Sequence, residues 1–223
     1  ITDFYCTINY CNIIYSKNIY TYEIQNFFKK SFEIMKNGIS ITIKNSLNNV
    51  VSIYMNRKIL DIDKTGKLLS VNIFLSRFIN ICVIPFYVLH SVSNILIPQN
   101  KNIENNKKIE KRIILLTIIT GIIQSIILYN FQFLFTYFTS DLIVVNTSKK
   151  IIGLISLYQI FFGYYHVYEG ILQGHNNFQK ISIANLICSI PKLILLYFSK
   201  SLENIWMVNI LIIMLKSFFL YYL

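Results

Sequence analysis

The sequence predicts an all-α protein, a polytopic bundle of transmembrane helices. Three observations carry that prediction. Hydrophobic residues fill 54% of the 223 positions and gather into runs of about 20, the length that crosses a bilayer as a helix. Short polar connections separate the runs, and none is large enough to be a domain of its own. No stretch alternates apolar and polar residues as barrel strands do, and a span must satisfy its own backbone hydrogen bonds, so helices remain.

Taken in order, residues 1–15 read as the tail of an apolar segment, and residues 16–36 as a polar connection ending in Lys29, Lys30 and Lys36. The first full span is expected at about 37–56. A turn follows at Asp61, Asp63 and Gly66, residues that cap and bend. The second span, about 68–97, is long enough to tilt or to bend at Pro85. The most charged stretch, 99–112, comes next, and then an uncharged third span at about 113–139. Further spans are expected at about 151–172, 181–198 and 204–223. The organisation is therefore 1–30, the end of a preceding helix plus a connection, and 31–223, one lobe of six helices. The chain opens on Ile1 with no basic segment leading into an apolar core, which reads as a fragment or a start inside a longer protein rather than a signal peptide.

Lys and Arg total 21 against 10 acidic residues, a net charge of +11. In a soluble chain that excess points to nucleic acid. Here the lysines lie mostly between apolar runs, which assigns them to the membrane surface and leaves nucleic acid out as a partner. Counting basic residues in short loops favours 99–112 inside and 140–150 outside, by nine residues to seven. Cys6, Cys11, Cys82 and Cys188 show neither metal-ligand spacing nor a disulfide framework, so no metal is expected. No zinc-protease, phosphate-loop or dinucleotide fingerprint is present, so the chain reads as neither an enzyme nor a cofactor protein.

Two polar faces carry the candidate chemistry. In the first span Asn37, Lys44, Asn45, Asn48, Asn49, Ser52 and Asn56 recur at helical spacing. Lipid does not tolerate such a face, because a central Lys costs about 2.5–3.5 kcal/mol on the mildest scale. It meets other helices through hydrogen bonds, or it lines a solvated cavity. Asn and Lys are weaker signals than usual in a chain so rich in Ile, Asn, Lys, Tyr and Phe. In the fourth span Tyr158, Gln159, Phe162, Tyr165, His166 and Glu169 form a second mixed face. It is an interfacial aromatic cluster or a part of the same cavity, with His166 able to titrate. Glu169 is expected at the membrane edge as a cap or loop contact. Arg77 is either an intramembrane site residue or one that reaches the interface along its own stem, and Lys192 and Lys216 are expected to reach the interface in that way.

Between the fourth and fifth spans the chain reads EGILQGHNNFQKISIANLICSIP. Gly170 and Gly174 allow a tight helix end and close helix contact. The order of Glu169, Gly170, Gly174, Asn177, Phe178 and Pro191 resembles the fourth-to-fifth helix loop in the second lobe of MATE (multidrug and toxic compound extrusion) transporters. The Glu-Gly and Asn-Phe pairs look most like the DinF-like branch. LYQIFFGYYHVYEG resembles the fourth helix. Trp206, Met214 and Lys216 resemble the last helix of that branch, and Gln99 resembles the start of an inner loop, although the Gly that usually follows it is missing.

That resemblance implies one C-terminal lobe of a two-lobe antiporter, with the N-terminal lobe missing as its partner. Such proteins move small organic compounds by alternating access against a H⁺ or Na⁺ gradient, as in multidrug efflux and xenobiotic transport. Cavity-lining residues would be Lys44, Asn45, Asn48, Asn49, Ser52, Tyr158, Phe162, Tyr165 and His166, and the bending points Pro85, Gly170, Gly174 and Pro191. Phe162 stands where other branches place a cation-binding carboxylate, which implies that the coupling carboxylate lies on the other lobe. A lipid-linked or polymer flippase of the same superfamily and a non-transporting membrane scaffold are the alternatives. The lipid bilayer is implied throughout, either a plasma membrane or that of an organelle such as a plastid.

Overall fold

The computed structural model describes residues 22–99 and 103–222. The expected end of a preceding span at 1–15, and Lys101 of the charged loop, lie outside them. The chain forms two compact units, Ile1–Ile39 and Ser40–Leu223, and the second holds the bundle. The described elements are α1 (Tyr22–Ile62), α2 (Lys67–Cys82), α3 (Ile84–Gln99) and α4 (Ile103–Asn130). After them come a 3₁₀ turn (Phe131–Leu134), a single helical turn α5 (Phe135–Phe138), α6 (Leu142–Gly174), α7 (Phe178–Phe198) and α8 (Leu202–Tyr222). No strand occurs among the described residues.

By length and apolarity, α4 with its 3₁₀ extension, α6, α7 and α8 can each cross a membrane, and α2 with α3 makes a fifth span bent by 48°. The first helix falls below that measure. Its stripe of Asn, Lys and Ser dilutes the apolar run, so α1 is amphipathic where its neighbours are apolar.

The bend falls at Val83, two residues before Pro85. Val83 closes α2, and its carbonyl accepts the first bonds of α3, from the amides of Phe86 and Tyr87. Pro85 then sits in the first turn of α3, where its missing N–H costs nothing.

Each connection is built by a short polar device. The Asp63 carboxylate accepts from the Thr65 hydroxyl at 2.6 Å and from the amides of Thr65 and Leu68 at 3.0 Å. The Thr65 hydroxyl, then the Leu68 amide, hold that carboxyl below its usual range. Gly66 completes the turn at φ 77°, a conformation that a side chain would strain. Asp141 caps α6 by accepting from the amides of Ile143 and Val144.

At the far end of α6 the Asn177 amide bonds the Leu172 carbonyl and the Asn176 amide bonds that of Gln173. This is the six-to-one and five-to-two pattern of a Schellman end, with Asn176 left-handed at φ 59°. The left-handed residue is thus Asn176 and not Gly174. The glycines of α6 serve a different purpose, which is contact.

The central helix is α6, packed against α3, α4 and α8 and more lightly against α2 and α7. Gly163, Gly170 and Gly174 recur on one of its faces and meet α3. A Cβ on Gly163 would come within 2.3 Å of the Phe86 ring, and one on Gly170 within 2.6 Å of the His90 carbonyl oxygen. One on Gly174 would lie 3.0 Å from Ile97 Cβ. The largest buried cluster joins Val51 and Ile59 of α1 to Leu75 of α2, Ile155 of α6, Leu196 of α7 and Ile205 of α8. Leu115, Ile119, Ile122 and Ile126 of α4 are exposed, the face that lipid covers in a membrane.

Candidate functional site

A cavity of about 300 Å³ opens within the second unit. From α1 come Asn48 and Ser52, from α2 Ser76 and Asn80, and from α6 Tyr158, Phe162 and Tyr165. From α7 come Ser189 and Lys192, and from α8 Trp206, Asn209 and Lys216. Helical spacing explains the set. Asn185, Ser189 and Lys192 lie four and three apart on α7, and Asn209 and Lys216 seven apart on α8, so each group shares one helix face.

Lys216 is 7% exposed. Its ammonium donates to the Asn185 amide oxygen at 2.6 Å and to that of Asn48 at 3.4 Å, and it lies 5.7 Å from the centre of the Tyr165 ring. The Asn185 amide nitrogen donates in turn to the Tyr165 hydroxyl at 2.9 Å and to the Ile181 carbonyl. A buried charge is tolerable only when hydrogen-bonded, and this chain supplies those bonds from neutral groups. Among the described residues no carboxylate lines the cavity. Lys192 is half-buried at its wall. Both lysines were expected to reach the interface, but one face of α7 and one of α8 turn them inward instead.

Beside the cavity sits an ion pair. Lys44 of α1 bonds the Glu169 carboxylate of α6. Glu169 is 1% exposed, and the same oxygen accepts from Gln173 at 3.3 Å. Its other oxygen has no hydrogen-bond partner and lies 3.9 Å from His166 Nδ1. His166 stacks between His90, 4.7 Å away, and Phe162, 5.7 Å away, with Tyr87 edge-on at 4.6 Å. The expectation that Glu169 caps the helix therefore fails. The helix continues past it to Gly174, which places the carboxylate inside the bundle, and Lys44 compensates it.

Of the expected lining residues, Asn48, Ser52, Tyr158, Phe162 and Tyr165 share the cavity wall. Lys44 and His166 belong to the neighbouring ion-pair cluster. Asn45 and Asn49 are exposed and stand outside both. Lys192, Lys216, Asn185, Asn209 and Trp206 were missed as lining or supporting groups, although the spacing rule that found the α1 stripe also picks out those on α7 and α8. Pro191 lies within α7 next to Lys192. A second hollow of about 400 Å³, walled by Ile84, Pro85, Val88, Leu89, Leu116 and Thr120, is almost wholly apolar and suits lipid.

Residues 41–198 match the model of the MatE family. A comparison with curated protein sequences finds no match. Among solved structures the chain is similar to a MOP superfamily transporter from Pyrococcus furiosus Vc1 (DSM3638), for which reverse polarity of the binding pocket is said to suggest a different function. The similarity has a TM-score of 0.69 at 14% identity and covers 85% of this chain and 44% of that one, so the chain spans under half the length of that transporter.

Proposed function

The chain belongs to the MatE family, and from that premise we propose that it is one lobe of a two-lobe secondary transporter. It is an integral, multi-pass membrane protein. In this reading the lobe moves small organic compounds by alternating access, as the C-terminal half of a DinF-like antiporter driven by H⁺ or Na⁺. The observation that carries the reading is the polar cavity inside a lobe whose outer faces are apolar. A scaffold has no use for a solvated hollow held open by buried polar groups, each of which is costly to keep from water.

The principal coupling carboxylate is assigned to the other lobe. A cation held inside a membrane needs several oxygen ligands or a free carboxylate. Glu169 is engaged by Lys44, and the position aligned with a cation ligand is Phe162.

Counterflow in proteoliposomes holding the full-length protein tests this reading. Fluorescein and rhodamine 6G serve as probe substrates, under an imposed H⁺ or Na⁺ gradient. Flux is expected to depend on one of the gradients. In Glu169→Gln the flux is expected to fall, since removing one partner of a buried pair costs about 3–5 kcal/mol, while gradient dependence persists. Loss of that dependence in Glu169→Gln alone, with probe binding intact, would move the coupling site into this lobe. No gradient-driven flux of either probe in the wild type would favour the scaffold.

A further inference from the structure

Among the described residues the cavity is lined by two lysines and no carboxylate. Lys216 has only neutral amide oxygens as partners. Lys192 has no ion-pair or hydrogen-bond partner among the described residues. The nearest pair, Lys44 with Glu169, is compensated within itself, which leaves two lysine side chains facing one hollow with no carboxylate to match them among the described residues.

Two further donors face the same space, beside the neutral oxygens of Ser and Asn side chains. Trp206 is 4% exposed, and its indole N–H is buried without a partner. That group can only donate. The Tyr165 hydroxyl accepts from Asn185, so its own proton is left to give. Two lysine amines, an indole N–H and a phenol O–H therefore face a space whose fixed acceptors among the described residues are neutral Ser and Asn oxygens. Charge-assisted bonds to an anion would satisfy all of them, and they are about twice as strong as neutral ones. A cation there would meet repulsion with no compensating carboxylate.

The geometry points to an organic anion as the occupant: its acidic group between Lys192 and Lys216, its apolar or ring-bearing body against Tyr158, Phe162 and Trp206. This assignment deepens the transporter reading and rests on it for its biological meaning. The acidic group could belong to a soluble molecule or to the headgroup of an anionic lipid, since both present the same oxygens.

The test uses full-length protein in phosphatidylcholine nanodiscs and a charge-swapped pair of xanthene dyes, anionic fluorescein and cationic rhodamine 6G, read by fluorescence anisotropy. Wild type is expected to bind fluorescein at least tenfold more tightly than rhodamine 6G. Lys192→Met is expected to weaken fluorescein binding about tenfold, and Lys192→Arg to restore it to within a few-fold. Lys216→Met is expected to act in the same direction. Should loss of the Asn185 bond unfold it, as read by size-exclusion chromatography, the Lys192 pair carries the test.

Adding phosphatidylglycerol to the discs separates the sources. Lysine-dependent displacement of fluorescein marks a lipid headgroup as the natural anion, and undisturbed binding marks a soluble one. Preference for rhodamine 6G, or fluorescein binding unchanged in Lys192→Met with Lys216→Met combined, would overturn the assignment. Lysine-dependent binding without any proteoliposome flux would sink the transporter reading and keep the site. Gradient-driven flux of the cation, unaffected by either lysine, would do the reverse.

Discussion

The two sides of α6 are built on opposite principles. Toward α3 the helix is bare at three points: at Gly163, Gly170 and Gly174 the neighbouring atoms occupy space that a side chain would need. Toward the cavity it carries Tyr158, Phe162 and Tyr165, and besides its apolar packing it reaches α1 and α8 through the ends of long side chains, Glu169 with Lys44 and Tyr165 with Lys216. A backbone-to-backbone contact holds at one separation only, because dense packing leaves no slack. A lysine reaching across a gap can follow its partner over several ångströms. The contrast teaches that α3 and α6 meet at fixed points along one seam, whereas the polar links from α6 to α1 and α8 are adjustable.

The seam should break first. Gly170→Ala sets a Cβ against the His90 carbonyl, and overpacking of this kind costs about 1–3 kcal/mol. Gly174→Leu, pressed against Ile97, is expected to cost more and to reduce folded yield. Thermal unfolding in detergent checks both. Wild-type midpoints for the two variants would show that α3 and α6 are not locked. The smaller effect sharpens the contrast from the other direction. Gly153, on the same helix, is exposed, with nothing within 4 Å of where its Cβ would stand. Gly153→Ala is expected to be neutral or to stabilise by up to about 1 kcal/mol through helix propensity. A loss as large as that of Gly170→Ala would mean that a partner covers this face.

Much of this was legible in the residues themselves. Apolar runs set the order of the helices, and Pro85 announced a bend to within two positions. The α1 stripe placed Asn48 and Ser52 at the cavity because a periodic polar face needs somewhere to go. Glu169 was misread because its environment is not local. Its partner Lys44 lies 125 residues away, and sequence spacing shows only neighbours on the same helix. Lys192 and Lys216 were misread for a related reason. A lysine near a span end can reach outward or inward, and only the packing of α7 and α8 decides which. Asn176 takes the left-handed turn because it stands one position past the C-cap of the helix, and Asn tolerates that conformation better than other side chains.

The ion pair between α1 and α6 also bears on how the chain enters a membrane. As the polypeptide emerges, α1 precedes α6, with Lys44 uncompensated and too little apolar length to be retained in lipid unaided. The carboxylate that neutralises it is made only when α6 follows. Integration of α1 is therefore expected to wait on the later helices. Glycosylation mapping of truncated chains is the check: products ending before residue 142 are expected to leave α1 incompletely inserted, and those ending after 174 to insert it. Full insertion of α1 in the shorter products would show that it needs no help from Glu169.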